Sequence, residues 1–334
     1  MNQGSLDLAL TWDGSEIVGA DVGSARPQVA SVLLGLPAAA LGDVVCRLFG
    51  ICRQAQAAAA GLCVRAARGE RLAAVALDEL ALPVAIETIS EHLGHLLIAW
   101  PTLLADPRQP PRVAACGDWR RRLRAATDRQ SAATVAAALV DWLDDADLPP
   151  LDEQPPAAAT APLLPRLTAA EWETVAAVEN FALRPTLGGE AAETGALARQ
   201  ADDARIAGLL AAGRRLDARL LARLLELRWL AAALAEPPRL SSLLDACAVR
   251  VGAGLARVET ARGSLLHRLE LAGDDVAHYQ IVAPTEWNFH PQGAFVREIS
   301  GCPASSRRAA QLAGERLALS LDPCVAFSCR LIDA

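Results

Sequence analysis

The sequence predicts a predominantly helical α+β protein with small β-structure near both chain ends. Three observations carry that prediction. Of the 334 residues, 52% are apolar but only 4% aromatic, the balance of an alanine- and leucine-rich helical chain. Over residues 35–67 and 72–105, and again from Ile206 to Leu234, the pattern is helical, with apolar residues at helical spacing. Nearer the two ends, apolar and polar residues alternate across turns that contain glycine.

The elements follow in order. Leu6, Leu8 and Leu10 precede Asp13-Gly14, and Ile17 and Val18 follow it, which predicts a β-hairpin over residues 6–21. Residues 35–67 turn helical and alanine-rich. Residues 72–105 predict further helix, broken at Pro83 and Pro101, because proline lacks a backbone donor and clashes with the preceding turn. Pro149, Pro150, Pro155, Pro156, Pro162 and Pro165 predict an extended linker near 149–165. Thr168 with Glu171 three residues on forms a capping box that starts a helix. Ile206, Leu210, Leu220, Leu224 and Leu234 predict a helix running to the Pro237-Pro238 stop. After Gly254 alternation returns. Leu265, Leu269 and Leu271 precede a turn at Gly273-Asp274-Asp275, and residues 278–282 follow it as a second hairpin.

Composition excludes several chemistries. All 32 basic residues are arginine, so neither a P-loop lysine nor a Schiff-base lysine is available. A net charge of -7 argues against a nucleic-acid partner. The densest basic run, Arg120-Arg121-Arg122 with Arg124, reads as a solvated face. The first residues lack a basic segment followed by an apolar core, and no apolar run approaches the roughly 20 residues that cross a bilayer. A cytoplasmic protein is expected, in which the eight cysteines are thiols or metal ligands rather than disulfides. Cys63, Cys116, Cys247 and Cys302 sit in no motif and read as small buried hydrophobes.

The other four cysteines fall in two half-motifs. One is Cys46-Arg47-Leu48-Phe49-Gly50-Ile51-Cys52; the other is Asp322-Pro323-Cys324-Val325-Ala326-Phe327-Ser328-Cys329-Arg330. These segments resemble the R-x-C-G-x-C and D-P-C-x-x-C-x-x-H signatures of nickel–iron hydrogenase large subunits. Residues 91–95 (E-H-L-G-H), 193–199 (E-T-G-A-L-A-R), 259–265 (E-T-A-R-G-S-L) and 279–288 (Y-Q-I-V-A-P-T-E-W-N) also resemble family segments, in family order. Together they span nearly the whole chain and imply one hydrogenase large-subunit-like domain over 1–334. Phe49 and Phe327 stand where the family has cysteine, Arg330 where it has histidine, and the family's proton-transfer glutamate has no match around Arg26-Pro27-Gln28-Val29. Phenylalanine cannot ligate a metal. In these losses the chain resembles the HupK/HoxV accessory proteins, and no hydrogenase activity is expected of it.

The resemblance implies an assembly scaffold or metallochaperone that carries iron as Fe(CN)2(CO), transiently and without nickel. It implies Cys52 and Cys324 as thiolate ligands, with Cys329 behind them and Cys46 last. Arg262 and Thr285 match positions that contact cyanide, Leu265 and Pro284 match an apolar wall for carbon monoxide, and Asp322 and Glu91 match carboxylates beside the arginine. His92 and His95 are expected to pack and to hydrogen-bond. The implied partners are a HypC-type chaperone, the iron-fragment assembly machinery and the hydrogenase large-subunit precursor. Two other readings stay open: a metal-free adaptor that mimics the large subunit to bind maturation proteins, and a divergent redox metalloenzyme.

Overall fold

The computed structural model describes residues 4–27, 29–106, 109–126, 128–145, 157–176 and 180–334. The first expected hairpin forms from β1 (Ser5–Trp12) and β2 (Glu16–Ser24), with Asp13 Oδ1 accepting the Ser15 and Glu16 amides in the turn. The helical stretch expected over 35–67 is divided into α1 (Leu41–Leu48) and α2 (Arg53–Ala67), and the first half-motif spans the break. Pro83 does not break its helix. It lies inside α3 (Ala74–Gly94), where Ala81, Val84 and Ala85 are fully buried. That packing outweighs one lost backbone bond. α3 continues through a wide π turn at His95–Ala99 into α4 (Trp100–Leu103). Pro101 falls within the first turn of α4, where a missing amide is tolerated.

α5 (Gln109–Ala125) and α6 (Arg129–Asp145) pack onto this layer. The arginine run is only partly a solvated face. Arg121 is exposed beside Asp118 and Arg122 lies over the Trp119 ring, but Arg120 turns inward and donates twice to the Ser90 carbonyl, at 3.0 and 2.7 Å. Gly94 makes the room: a Cβ there would lie 2.1 Å from the guanidinium. Of the proline-rich segment, residues 149–156 lie outside the described residues. Residues 157–165 are irregular, and Leu163 bridges to Glu193. The capping box is present at α7 (Ala169–Ala176), with Thr168 N donating to Glu171 Oε2 at 2.7 Å and Glu171 N to Thr168 Oγ1 at 3.3 Å. After the short α8 (Ala196–Arg199), the helix expected from Ile206 to Leu234 is two, α9 (Ala204–Ala211) and α10 (Arg215–Ala235). They part near Gly213, whose φ of +73° suits glycine and few other residues.

β3 (Leu244–Arg250), β4 (Ala253–Thr260), β5 (Gly263–Ala272) and β6 (Asp275–Val282) form an antiparallel meander. α2 lies across it at short range. A Cβ on Gly254 would come within 2.4 Å of the Cys63 carbonyl, and the small alanines of α2 permit that approach. The chain ends through α11 (Pro284–Asn288), α12 (Ala294–Ile299), β7 (Cys302–Pro303), α13 (Arg307–Leu321) and β8 (Ala326–Asp333). β8 pairs parallel with β1 from Ser5↔Ala326 to Trp12↔Asp333, giving the sheet order β7-β2-β1-β8. The two chain ends therefore share one sheet, and the second sheet lies within the C-terminal half. Leu6, Leu8 and Leu10 pack with Phe295 and Ala318 into a core of their own, separate from the larger helical core. Among the described residues, no helix is long and apolar enough to cross a membrane.

Candidate functional site

Arg262 stands at the tip of the β4–β5 hairpin, and the turn that carries it is buried. Thr260 Oγ1 accepts the Arg262 amide at 3.1 Å and donates to the Gly263 carbonyl at 3.0 Å. Gly263, at φ +134°, lies so close to Thr194 that a Cβ would meet Cγ2 at 2.4 Å. Gly195, at φ +129°, presses on the Arg262 carbonyl from the other side. So fixed, the guanidinium donates from Nη1 to Cys52 Sγ at 3.3 Å. Its Nη2 donates to Glu91 Oε2 at 3.0 Å and to Asp322 Oδ1 at 3.3 Å. Nε is buried without a hydrogen-bond partner. Behind it lies a cavity of about 10 Å³ lined in part by Gly195, Arg219, Arg223 and Asn288, room for about one water.

Cys52 is the N-cap residue of α2 and adopts left-handed backbone, φ 55° and ψ 34°. Burial pushes its thiol up to about 12 against the pull of Arg262, and Glu87, Cys324 and Glu91 nearby add to the rise. Cys324 sits in the turn between α13 and β8, half-buried. Thr285, on α11, donates from Oγ1 to Cys324 Sγ at 3.1 Å and accepts the Cys324 amide at 3.2 Å. Trp287, two residues on, anchors α11 by packing against Trp172 and Phe181. Asp322, the C-cap of α13, is also left-handed at φ 52°. A non-glycine residue in that region stores roughly 1–3 kcal/mol, retained only where the surroundings hold it.

Those surroundings are charged. Asp322 Oδ2 lies 3.1 Å from Arg223 Nη1 and 4.0 Å from His95 Nδ1. Burial alone would raise the Asp322 carboxyl, but Arg262 and Arg223 hold it well below the usual range. Arg223 Nη1 also approaches His92 Nδ1 at 3.4 Å, and His92 Nε2 lies 2.8 Å from Glu226 Oε2. Arginine only donates, so Nδ1 accepts and the ring proton sits on Nε2, donating to Glu226. Burial lowers His92 and holds it neutral. Ion pairs continue from buried Glu226 through Arg199, Glu259 and Arg257 to part-exposed Asp245.

The structure thus brings Cys52, Cys324, Arg262, Thr285, Asp322 and Glu91 together from five separate segments. Pro284 is buried beside Thr285 at the start of α11, and Leu265 shares the main core with Cys52. Cys329 and Cys46 are placed differently. Cys329 lies on β8 opposite Leu8 and faces α13, where a Cβ on Gly314 would come within 2.8 Å of its Sγ. Cys46 lies half-buried on the last turn of α1. Phe49 packs against the main core and Phe327 against the second. Cys63 and Cys116 are buried as expected, whereas Cys247 and Cys302 are only half-buried.

Two neighbours escape the sequence reading, Arg223 and Glu87. Arg223 has no local signal, since it lies among many arginines of α10. Glu87 had one: Glu87, Glu91 and His95 recur at i, i+4 and i+8, one face of a helix. Among the described residues, no group of three or more His, Cys, Asp or Glu side chains could hold a metal ion. The donor set here is two thiols, too few for a nickel site of the hydrogenase type.

Comparison with known proteins shows the family and the fold. Residues 226–330 match the family model for nickel-dependent hydrogenase. The hydrogenase expression/formation protein HupK of Rhizobium leguminosarum bv. viciae is 34% identical, over 92% of this chain and 88% of its own. HupK of Azotobacter vinelandii is 32% identical over 92% of both chains, and HoxV of Cupriavidus necator 28% over 96% and 94%. Among solved structures, the reduced Ni-Fe-Se hydrogenase of Desulfomicrobium baculatum superposes with a TM-score of 0.70, covering 94% of this chain and 95% of that one. At 14% identity, that likeness establishes the hydrogenase large-subunit fold alone.

Proposed function

The chain belongs to the HupK/HoxV family of hydrogenase expression/formation proteins, and from that premise we propose that it serves nickel–iron hydrogenase maturation as a non-catalytic carrier of an iron fragment, Fe(CN)2(CO). One observation carries the reading. Two thiols from opposite ends of the chain each accept from a donor of another segment, Cys52 from Arg262 and Cys324 from Thr285. The fragment is cargo. Cys52 and Cys324 hold its iron, and Arg262 and Thr285 donate to its cyanide nitrogens. Loading releases the Cys52 proton to solvent, because a thiolate is the ligand and burial keeps Cys52 protonated until then. With only two protein ligands, the fragment leaves more readily than it would from a four-thiolate site. Donors are a HypC-type chaperone and the iron-fragment machinery, the acceptor is the large-subunit precursor, and the exchange takes place in the cytoplasm.

A second reading is a metal-free adaptor that mimics the large subunit to bind maturation proteins, in keeping with the hydrogenase large-subunit fold. Infrared spectroscopy of anaerobically purified protein separates the two. Cyanide and carbonyl stretches together with bound iron support the carrier; iron-free, band-free protein that still binds maturation partners supports the adaptor. Nickel-dependent hydrogen turnover by this chain would overturn both.

A further inference from the structure

The first amides of a helix have no partner within it, and an N-cap side chain ordinarily accepts from the second or third of them. Cys52 occupies the N-cap of α2 but makes no such bond; its Sγ is on Arg262 instead. The second and third amides of α2 belong to Gln54 and Ala55, and both donate to one carboxylate from another helix. Gln54 N lies 2.9 and 3.1 Å from the two oxygens of Glu87, and Ala55 N lies 3.1 Å from Oε2.

We propose that Glu87 is a positioning residue: it caps α2 from outside and so frees Cys52 to aim its thiol at Arg262 from left-handed backbone. The division of labour is physical. A Cys52 side chain turned toward the Gln54 and Ala55 amides would leave Arg262, and Glu87 removes that competition by satisfying both amides first. The positive end of the helix also favours an anion at this place. On the same face of α3, four residues on, Glu91 holds Arg262. One helix face therefore fixes both partners of the Cys52–Arg262 contact. What the clamp contributes to loading rests on the proposed function; the clamp itself does not.

The test uses Glu87→Ala and Glu87→Gln in the full chain, with two readouts: crystal structures, and the rate at which iodoacetamide alkylates Cys52 in the folded protein, followed by peptide mass spectrometry. Asp203→Ala is the control. Asp203 caps α9 through its own side chain, which accepts the Arg205 amide, so its loss weakens a helix end away from Cys52. In Glu87→Ala, Cys52 should leave φ near 55° and its Sγ should leave Arg262, with alkylation at least about tenfold faster, the equivalent of the ~1.4 kcal/mol a lost cap typically costs. Glu87→Gln keeps one acceptor and should react about threefold faster. Asp203→Ala should react as the parent does. An unmoved Cys52 in Glu87→Ala, or equal acceleration in the Ala and Gln variants (an effect of charge alone), overturns the clamp. Should Glu87→Ala not fold, an unchanged rate in Glu87→Gln overturns it. Neither readout involves metal, so failure here leaves the iron-carrier reading standing, and failure to find iron leaves the clamp standing.

Discussion

The two half-motifs reach the site by mirrored means. At residues 46–52 the kept cysteine is itself left-handed and opens helix α2. At 322–329 the left-handed residue is Asp322, which closes α13 two positions before Cys324. Cys52 is buried against a charged donor, whereas Cys324 is half-buried against a neutral hydroxyl. In both, the position that has become phenylalanine packs against a core, Phe49 on the helical one and Phe327 on the sheet. The difference shows two ways of fixing a thiol beside a left-handed helix end, one by burial against a charge and one by a neutral hydroxyl, each with a phenylalanine three residues away packed into a core.

The sharpest way to break this comparison is to exchange the cysteines. Cys52→Ala and Cys324→Ala should abolish iron loading in anaerobic preparations, whereas Cys46→Ala and Cys329→Ala should keep it, as read by metal analysis of the folded variants. Loss of iron in Cys329→Ala would return that residue to the ligand set. Next in size is Arg223→Met. It removes the second cation from Asp322 and the donor from His92, and a buried pair broken from one side costs about 3–5 kcal/mol, measurable as a lower urea midpoint. Arg262→Leu should reduce fragment loading about tenfold or more and shift the cyanide stretches, since a buried charged donor contributes about 1.5–3 kcal/mol. Unchanged spectra would remove Arg262 from the pocket.

Lowering pH should strain both halves. Burial depresses His92 and His95 beside the C-terminal motif, and it depresses His267, which holds Gln56 of α2, to about 3. Each folded value lies below the unfolded value near 6.5, so the unfolded chain binds more protons between the two. The stability from neutral burial is therefore complete above about pH 6.5 and falls as pH drops, by up to about 1.4 kcal/mol per unit for each histidine. Urea titrations at pH 7.5 and 5.5 should show the loss, and His267→Gln should reduce it. Smallest of all, Thr285→Val should weaken loading by about 1 kcal/mol, because the hydroxyl it removes is a neutral donor rather than a charged one.

Much of this molecule is legible in its sequence where the signal is local. The two hairpins and the Thr168 capping box are written in alternation and in residue type. β4 falls where a β pattern is expected, after Gly254, although all eight of its residues are buried and a strand covered on both faces does not alternate. The continuity of α3 through Pro83 and the break at Gly213 depend on packing that spacing alone does not disclose. At the site, the segments 259–265, 279–288 and 322–330 lead to Arg262, Thr285 and Asp322. Arg223 and Glu87 remain hidden because their partners come from other segments: the amides Glu87 serves lie 33 and 32 residues away, and Asp322 lies 99 from Arg223.

The pairing of β1 with β8 has a consequence in time. Trp12 and Asp333 are in register, so the sheet that supports Cys324 closes a loop of almost the whole polypeptide. Loop-closure entropy alone makes such a contact costly, on the order of 5 kcal/mol before any side chain is buried. During synthesis, the N-terminal hairpin must wait with one edge open until residues 326–333 have been made. The turn that carries Cys324 therefore gains its supporting sheet late, long after β1 and β2 have left the ribosome.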